Sequence, residues 1–252
     1  MSEEQPKTIE ELMRIQGIES IDLPEGDVGE GLRFKTNRGD FNAILHRAHD
    51  ADGAVIWVCG ARGGFGGPGP GTYARMSERF TDEGITSLRL DYRYANDVFE
   101  CALDLLAGVA YLKGTGHQPV VVVGHSFGGA VVIAAGANSD HIKGVVALSP
   151  QTYGAGMAGQ VSPRKLLVVH GKADTRLAFA CGQQIYDMAN LKFNGVSMFA
   201  VTSTDTEGNA VFNDINKDNT VSVYVSADGT SGTTVSVSKA LLLSALTIDA
   251  SN

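Results

Sequence analysis

Residues 120–130 read Val-Val-Val-Val-Gly-His-Ser-Phe-Gly-Gly-Ala, and this stretch decides the predicted fold. The four valines are typical of a strand that is buried on both faces of a sheet. Residues 124–128 match the pattern Gly-x-Ser-x-Gly, and the residues from Ala130 onward favour a helix. A strand, this tight turn and a helix are the setting of a nucleophile elbow, in which a serine hydroxyl is exposed at the turn. The stretch therefore predicts Ser126 as a nucleophile.

The chain on either side of this stretch alternates between strand-like and helix-like patterns. Buried strands are predicted at 54–59, 86–90, 143–148 and 166–170. Helices are predicted at 73–83, 98–112 and 177–190. Such alternation indicates βαβ units, so we expect an α/β fold with a doubly wound, mostly parallel sheet. In a sheet of this kind, ligands bind where the carboxyl ends of the strands meet.

The chain of 252 residues divides into three parts by composition. Residues 1–30 are a polar N-terminal segment, and residues 31–191 are the α/β core, which opens with a predicted β-hairpin. Residues 192–252 form a C-terminal segment rich in Thr, Ser and Val, and the alternation at 221–225 and 233–237 predicts strands there. This β-rich segment stands where a doubly wound domain is expected to close with a helix. Its strands can pair between chains, which leaves homo-oligomerisation through this segment open.

A second candidate residue is Asp174, which follows the predicted strand 166–170. A carboxylate at that strand end can reach the far nitrogen of a histidine that contacts Ser126, and so serve as the acid of a catalytic triad. The alternative is structural, because Asp is a preferred N-cap and a helix is predicted to begin near Arg176. The other position for such an acid, after Leu148, reads Ser-Pro-Gln and offers no carboxylate.

The loop at 60–67, after the strand 54–59, is rich in glycine. Acyl transfer needs backbone N–H groups that point at the oxygen on which negative charge develops. The N–H of Phe127, directly after Ser126, is one predicted donor, and the N–H of Ala61 is the other. The loop lacks the spacing of a dinucleotide-binding or phosphate-binding loop, so no cofactor is expected.

Together these residues carry a resemblance to a known family. The segments that carry it are 84–93, 124–129, 145–149 and 170–174. They resemble the α/β-hydrolase superfamily, and most of all its dienelactone-hydrolase-like and small serine esterase-like members. The resemblance covers residues of about 32–190, and the C-terminal segment is atypical. It implies carboxylesterase- or thioesterase-type hydrolysis of a small-molecule acyl substrate, with Ser126 as nucleophile.

The general base is missing from its expected place. In this family the catalytic histidine follows the nucleophile and the acid, on the loop after the last strand. Here that strand corresponds to about 196–201, and no histidine occurs after His170. We expect His170 to pack beside the turn, with a role as base as the alternative, and we expect the His125 side chain to point away from the Ser126 hydroxyl. Activity is therefore expected to be weak or lost.

Three explanations of the missing histidine stay open. The protein is a non-catalytic relative that keeps the pocket and binds a ligand or partner, or it recruits a base from elsewhere. In the third explanation, the C-terminal segment replaces the closing strand, histidine loop and last helix of an ordinary hydrolase.

Charge and hydropathy narrow the classes of partner. The formal net charge of -8 argues against a nucleic-acid partner. The N-terminus is acidic and polar, unlike a signal peptide, and no apolar run approaches the roughly 20 residues of a membrane span. We therefore expect a cytoplasmic protein without membrane association.

Neither the cysteines nor the acidic residues have the spacing of a metal-binding site. Cys59, Cys101 and Cys181 are odd in number and far apart, which favours free thiols in a reducing compartment. The stretch 214–218 places oxygen ligands at alternate positions, as calcium loops do. The glycine and glutamate that such a loop needs further along are absent, so a solvated hairpin turn is the better interpretation.

Overall fold

The computed structural model describes residues 12–190 and three further strands, at 197–202, 220–226 and 232–238. The calcium-like stretch at 214–218 and the loop at 203–209 lie outside the described residues. Within the described part, no helix is both long and apolar enough to cross a membrane.

The described strands are β1 (Ile15–Ser20), β2 (Glu30–Thr36), β3 (Phe41–His46), β4 (Ala54–Val58), β5 (Thr86–Leu90), β6 (Val120–His125), β7 (Ile142–Leu148), β8 (Lys165–Gly171), β9 (Ser197–Thr202), β10 (Thr220–Ser226) and β11 (Gly232–Ser238). The described helices are α1 (Thr72–Asp82), α2 (Val98–Gly114), α3 (Phe127–Ala137) and α4 (Phe179–Asn190), with a 3₁₀ turn at Ala158–Gln160.

These strands form one mixed sheet in the order β1-β2-β3-β5-β4-β6-β7-β8-β9-β10-β11. Neighbouring strands from β5 to β9 are parallel. At one end of the sheet, the pairs β1–β2, β2–β3 and β3–β5 are antiparallel. At the other end, the pairs β9–β10 and β10–β11 are antiparallel. The predicted mostly parallel sheet with a β-rich C-terminal part is thus confirmed. Because β6 lies between β4 and β7, its carboxyl end is surrounded by the loops that follow those strands.

Helices cover both faces of the parallel strands. Val120 and Val122 of β6 pack in one core with α2, α3 and α4. Val121 and Val123 pack in a second core on the opposite face, against Tyr73 of α1. All four valines are buried, as predicted for a strand covered on both faces. This double burial fixes the position of β6 and therefore of the turn that follows it.

Predicted strand and helix boundaries shift by one or two residues, and one strand was not predicted. Residues 1–30, predicted as a polar N-terminal segment, contain β1, which pairs antiparallel with β2 at the edge of the sheet. Its side chains are mostly exposed or half-buried, so β1 lacks the apolar alternation by which a strand is recognised. Helix α4 begins at Phe179, two residues later than predicted.

Candidate active site

A single residue, Ser126, links the end of β6 to the start of α3. Its backbone has φ 57° and ψ −117°, a conformation that is costly for a residue with a Cβ. Backbone hydrogen bonds hold it in place: Ser126 N–H donates to the Leu148 carbonyl at 2.9 Å, and Gln151 N–H donates to the Ser126 carbonyl at 3.3 Å. Both partners belong to β7 and the loop after it, so the neighbouring strand stabilises the strained turn.

Glycine at 124 and 128 allows the strand and the helix to approach closely. A Cβ at Gly124 would overlap the Gly128 carbonyl. A Cβ at Gly128 would overlap the carbonyls of Val58 and Cys59, at the end of β4. The turn and the end of β4 are therefore in direct backbone contact, which no other residue type at these two positions permits.

The loop 60–67 lies against this turn. A Cβ at Gly60 would be 3.4 Å from the Ser126 Cβ. The next residue is Ala61, one of the two predicted donors. The other predicted donor, Phe127, is the first residue of α3. The first N–H groups of a helix have no acceptor within the helix, so the Phe127 N–H can serve an external oxygen. Both predicted donors thus belong to backbone segments that border Ser126.

Asp174 lies in the loop after β8 with only 5% of its side chain exposed. Its Oδ1 accepts hydrogen bonds from the N–H groups of Arg176 (2.9 Å) and Leu177 (3.0 Å). The capping alternative is therefore partly met, although Asp174 closes a turn ahead of α4, which begins at Phe179. The second oxygen, Oδ2, is 3.8 Å from His170 Nε2. One oxygen serves the backbone and the other faces an imidazole.

His170 is fully buried. Its Nε2 lies 2.9 Å from the Leu177 carbonyl, so this nitrogen carries the proton in the neutral ring. Its Nδ1 is buried with no hydrogen-bond partner among the described residues. The ring also meets Phe179 edge-on, at 6.2 Å between centroids. This environment fits the expected packing role and not the alternative role as base.

His125 lies closer to the acid than the sequence indicates. Burial lowers the pKa of His125 to about 4, with an opposing effect from Asp174 and a further lowering from His170. Its Nδ1 would be 3.7 Å from a Cβ at Gly60, so the ring lies beside the glycine-rich loop. At neutral pH this imidazole is uncharged. Alternation along β6 places it on the face opposite Gly124, but only the fold brings Asp174 and His170 to that face.

No described residue makes a hydrogen bond to the Ser126 hydroxyl. The four other histidines are engaged elsewhere: their partners are Arg89 for His46, Asp50 for His49, Thr86 for His117 and Lys113 for His141. Among the residues described, no group of three His, Cys, Asp or Glu side chains could hold a metal ion. The geometry therefore places a serine in a strained turn beside the backbone of the loop 60–67 and the start of α3, with no described imidazole hydrogen-bonded to its hydroxyl.

Comparison with known proteins identifies the family whose sequence and fold the chain shares. A model of the alpha/beta hydrolase family matches residues 43–217. Quorum-quenching protein AidA of Acinetobacter baumannii is 31% identical over 155 residues, which cover 56% of this chain and 50% of AidA. The chain thus spans about half the length of this curated relative.

Two solved structures are similar in fold. Esterase Pf2001 of Pyrococcus furiosus has a TM-score of 0.56 at 22% identity, over 69% of this chain and 82% of the esterase. A dienelactone hydrolase of Anabaena variabilis has a TM-score of 0.57 at 15% identity, over 79% of this chain and 89% of that enzyme.

Proposed function

Because the chain belongs to the alpha/beta hydrolase family, we propose that it is a serine hydrolase that cleaves an ester or thioester bond of a small acyl substrate. The observation that carries this proposal is the backbone of Ser126, with φ 57° and ψ −117° between β6 and α3. A serine held in this way presents its hydroxyl at the carboxyl end of a central strand, where parallel sheets bind ligands.

In the proposed reaction, the Ser126 oxygen attacks the substrate carbonyl carbon. The N–H groups of Ala61 and Phe127 stabilise the negative charge that develops on the carbonyl oxygen. The alcohol or thiol leaves, and water then hydrolyses the acyl-serine. We assign Asp174, in the loop after β8, to the position of the triad's acid. In this proposal the Ser126 proton passes to solvent, because no described histidine is hydrogen-bonded to the Ser126 hydroxyl.

Turnover is accordingly low in this proposal. An oxyanion hole and substrate binding without a complete triad still accelerate acyl transfer by roughly 10³–10⁴-fold over water. That residual acceleration is sufficient to acylate Ser126 with an activated ester, and insufficient for the turnover of a complete triad.

A fluorophosphonate probe tests the proposal. Prolonged incubation should label the wild-type chain on the peptide that contains Ser126, and Ser126→Ala should abolish the label. p-Nitrophenyl acetate should also be cleaved faster by the wild type than by Ser126→Ala. If neither labelling nor excess hydrolysis occurs in a folded sample, the hydrolase proposal is wrong.

A second candidate function is a binding or scaffold protein that keeps a hydrolase pocket. The observation that favours it is the Ser126 hydroxyl, to which no described histidine is hydrogen-bonded. The two candidates differ in the probe experiment, because a binding protein retains its ligand after Ser126→Ala and shows no label in either form.

The relative AidA suggests a biological setting for either candidate, since it is named a quorum-quenching protein. We infer that this chain acts on, or sequesters, a quorum signal. A reporter strain exposed to signal that was first incubated with the wild type should respond less than one exposed to untreated signal. A lowered response that persists with Ser126→Ala would indicate sequestration.

We also infer a reducing compartment such as the cytoplasm, because Cys59, Cys101 and Cys181 are all free thiols. Strand β11 lies at the edge of the described sheet, so we propose self-association through it. Light scattering after size-exclusion chromatography tests this, with a dimer expected for the full chain and a monomer contradicting it.

A further inference from the structure

Two residues directly after β5, Asp91 and Tyr92, contact both parts of the proposed oxyanion hole. They belong to the segment 84–93 that carries part of the family resemblance, yet the mechanism above assigns them no role. In the sheet, β4 lies between β5 and β6. Asp91 and Tyr92 therefore lie on the far side of β4 from Ser126, next to the loop 60–67 that follows β4.

Tyr92 contacts the two segments that carry the proposed donors, one through its hydroxyl and the other through its ring. Its hydroxyl donates a hydrogen bond to the Cys59 carbonyl at 3.0 Å, two residues before the Ala61 N–H. Its ring meets the Phe127 ring edge-to-face, at 5.9 Å and 88°. Tyr92 is only 8% exposed, so this arrangement is enclosed by the core. One side chain therefore ties the backbone that leads to one donor to the residue that supplies the other.

Asp91 fixes the far part of the same loop. Its Oδ1 accepts the Gly64 N–H at 2.6 Å and also the Tyr92 N–H at 2.9 Å. Its own N–H donates to the Asn42 carbonyl of β3 at 3.0 Å. The carboxylate thus connects the loop to a backbone that is itself anchored in the sheet.

The Cys59 carbonyl has little room to move. It lies so close to Gly128 of α3 that a Cβ there would overlap it. A rotation of the peptide after Cys59 would move the Ala61 N–H. Donors in an oxyanion hole act at about 2.7–3.1 Å from the oxyanion, so a shift of a few tenths of an ångström weakens the interaction.

We propose that Asp91 and Tyr92 are positioning residues that hold the Ala61 and Phe127 N–H groups in register around Ser126. Neither residue touches the substrate carbonyl in this arrangement. The inference rests on the proposed function, since it assigns these residues to the oxyanion hole of a serine hydrolase.

The chain offers a matched pair of variants for this test. Tyr92→Phe removes the hydroxyl bonded to Cys59 and keeps the ring against Phe127. Tyr73→Phe is the control, because the buried Tyr73 hydroxyl donates to the Val58 carbonyl at 3.2 Å, one residue earlier in the same strand. Each variant loses one tyrosine hydrogen bond to a carbonyl near the end of β4, so their stabilities should fall by similar amounts.

The first readout is the second-order rate constant of Ser126 labelling by the fluorophosphonate. Tyr92→Phe should lower it about tenfold, less than the 10²–10³-fold loss caused by removing an oxyanion donor. Tyr73→Phe should stay within about twofold of wild type, because its hydrogen bond lies before the loop. With p-nitrophenyl acetate, the loss should appear in kcat and not in KM, since oxyanion contacts strengthen in the transition state.

Asp91 is tested in the same way with a second pair. Asp91→Ala removes the acceptor of the Gly64 N–H, whereas Asp91→Asn keeps an oxygen that can accept it. The alanine variant should be slowed about tenfold, and the asparagine variant should recover most of the rate. Asp140→Ala, at a fully exposed side chain, controls for loss of a negative charge.

The second readout does not depend on activity. Hydrogen–deuterium exchange of the peptide that covers the loop 60–67 should be faster in Tyr92→Phe and Asp91→Ala than in Tyr73→Phe and Asp91→Asn. If the wild type is labelled and the two members of each pair react and exchange alike, the positioning role is wrong and the hydrolase proposal stands. If the wild type is never labelled, the hydrolase proposal fails, and with it the role of these residues in an oxyanion hole.

Discussion

On the β4–β5 side of Ser126, side chains that follow β5 bond the backbone of the loop that follows β4, whereas on the β8 side the polar side chains bond the backbone of their own loop. Tyr92 bonds the Cys59 carbonyl and Asp91 bonds the Gly64 N–H. Asp174 instead caps the turn at Arg176 and Leu177, and His170 bonds the Leu177 carbonyl.

The difference follows from what each side requires. A nucleophile turn and an oxyanion hole are made from backbone, and their geometry is part of the close packing of β4, β6 and α3. A general base is one side chain on a loop, and its loss leaves that packing intact. A chain can therefore keep a strained Ser126 and lack the imidazole that would activate it.

The largest effect is expected from breaking the close approach at Gly128. Gly128→Ala should lower the free energy of unfolding by about 2–3 kcal/mol, because its Cβ overlaps the carbonyls of Val58 and Cys59. Labelling of Ser126 should be lost with it. Gly114→Ala at the end of α2 is the control, since a Cβ there meets no atom within 4 Å. Chemical denaturation that finds the two variants equally stable would contradict the packing described for this turn.

The next effect is the pH dependence of the free energy of unfolding, which arises where Arg89 bonds both His46 and the loop residue Phe65. Buried Arg89 donates to His46 Nε2 at 3.0 Å and to the Phe65 carbonyl at 3.4 Å. Burial, assisted by the Arg89 charge, lowers the pKa of His46 to about 4 from its ordinary 6.5. The unfolded chain thus binds the proton more readily, so stability should be constant above pH 6.5 and fall as the pH decreases toward 4.

The expected loss from His46 is on the order of 3 kcal/mol across that range. His46→Gln keeps an acceptor for Arg89 and does not titrate, so it should flatten this part of the profile. His125 has a pKa lowered in the same direction, and subtracting the two profiles isolates His46. Unfolding measured between pH 4 and 7 checks this, and identical slopes for both proteins would show that His46 does not bind its proton on unfolding.

The smallest effect is expected on the β8 side. Asp174→Asn keeps an oxygen for the Arg176 and Leu177 N–H groups, so stability should change little. The rate of Ser126 labelling should fall less than about threefold, because no imidazole relays the carboxylate's effect to the hydroxyl. In a complete triad the same change costs about 10⁴-fold. A loss of that size would reveal a base oriented by Asp174.

Strands and turns whose pattern lies within a few adjacent residues could be predicted from the sequence. The four valines predicted β6, and Gly-x-Ser-x-Gly predicted the turn at Ser126, because burial and turn geometry there depend on adjacent residues. The edge strand β1 was missed, since a strand paired on one side leaves few buried side chains to form a pattern. Asp174 was placed at its strand end, but its hydrogen bonds to Arg176 and Leu177 depend on local loop geometry.

Contacts between distant segments were not predictable. Tyr92 and Cys59 are 33 positions apart, and nothing in either neighbourhood indicates that a hydroxyl meets a carbonyl. The place of His125 beside Asp174 and His170 likewise depends on the order of β6, β7 and β8 in the sheet. Sequence patterns locate the strand ends, and only the sheet order determines which of their side chains meet.

Chemical rescue by imidazole tests the central claim most directly, namely that the nucleophile side is assembled and the base is lacking. Hydrolysis of p-nitrophenyl acetate is measured at increasing imidazole concentrations, with Ser126→Ala as the measure of the reaction in solution. We expect a steeper increase for the wild type than for Ser126→Ala, with the acetyl group detected on Ser126. Equal slopes and no acetylated Ser126 would contradict it.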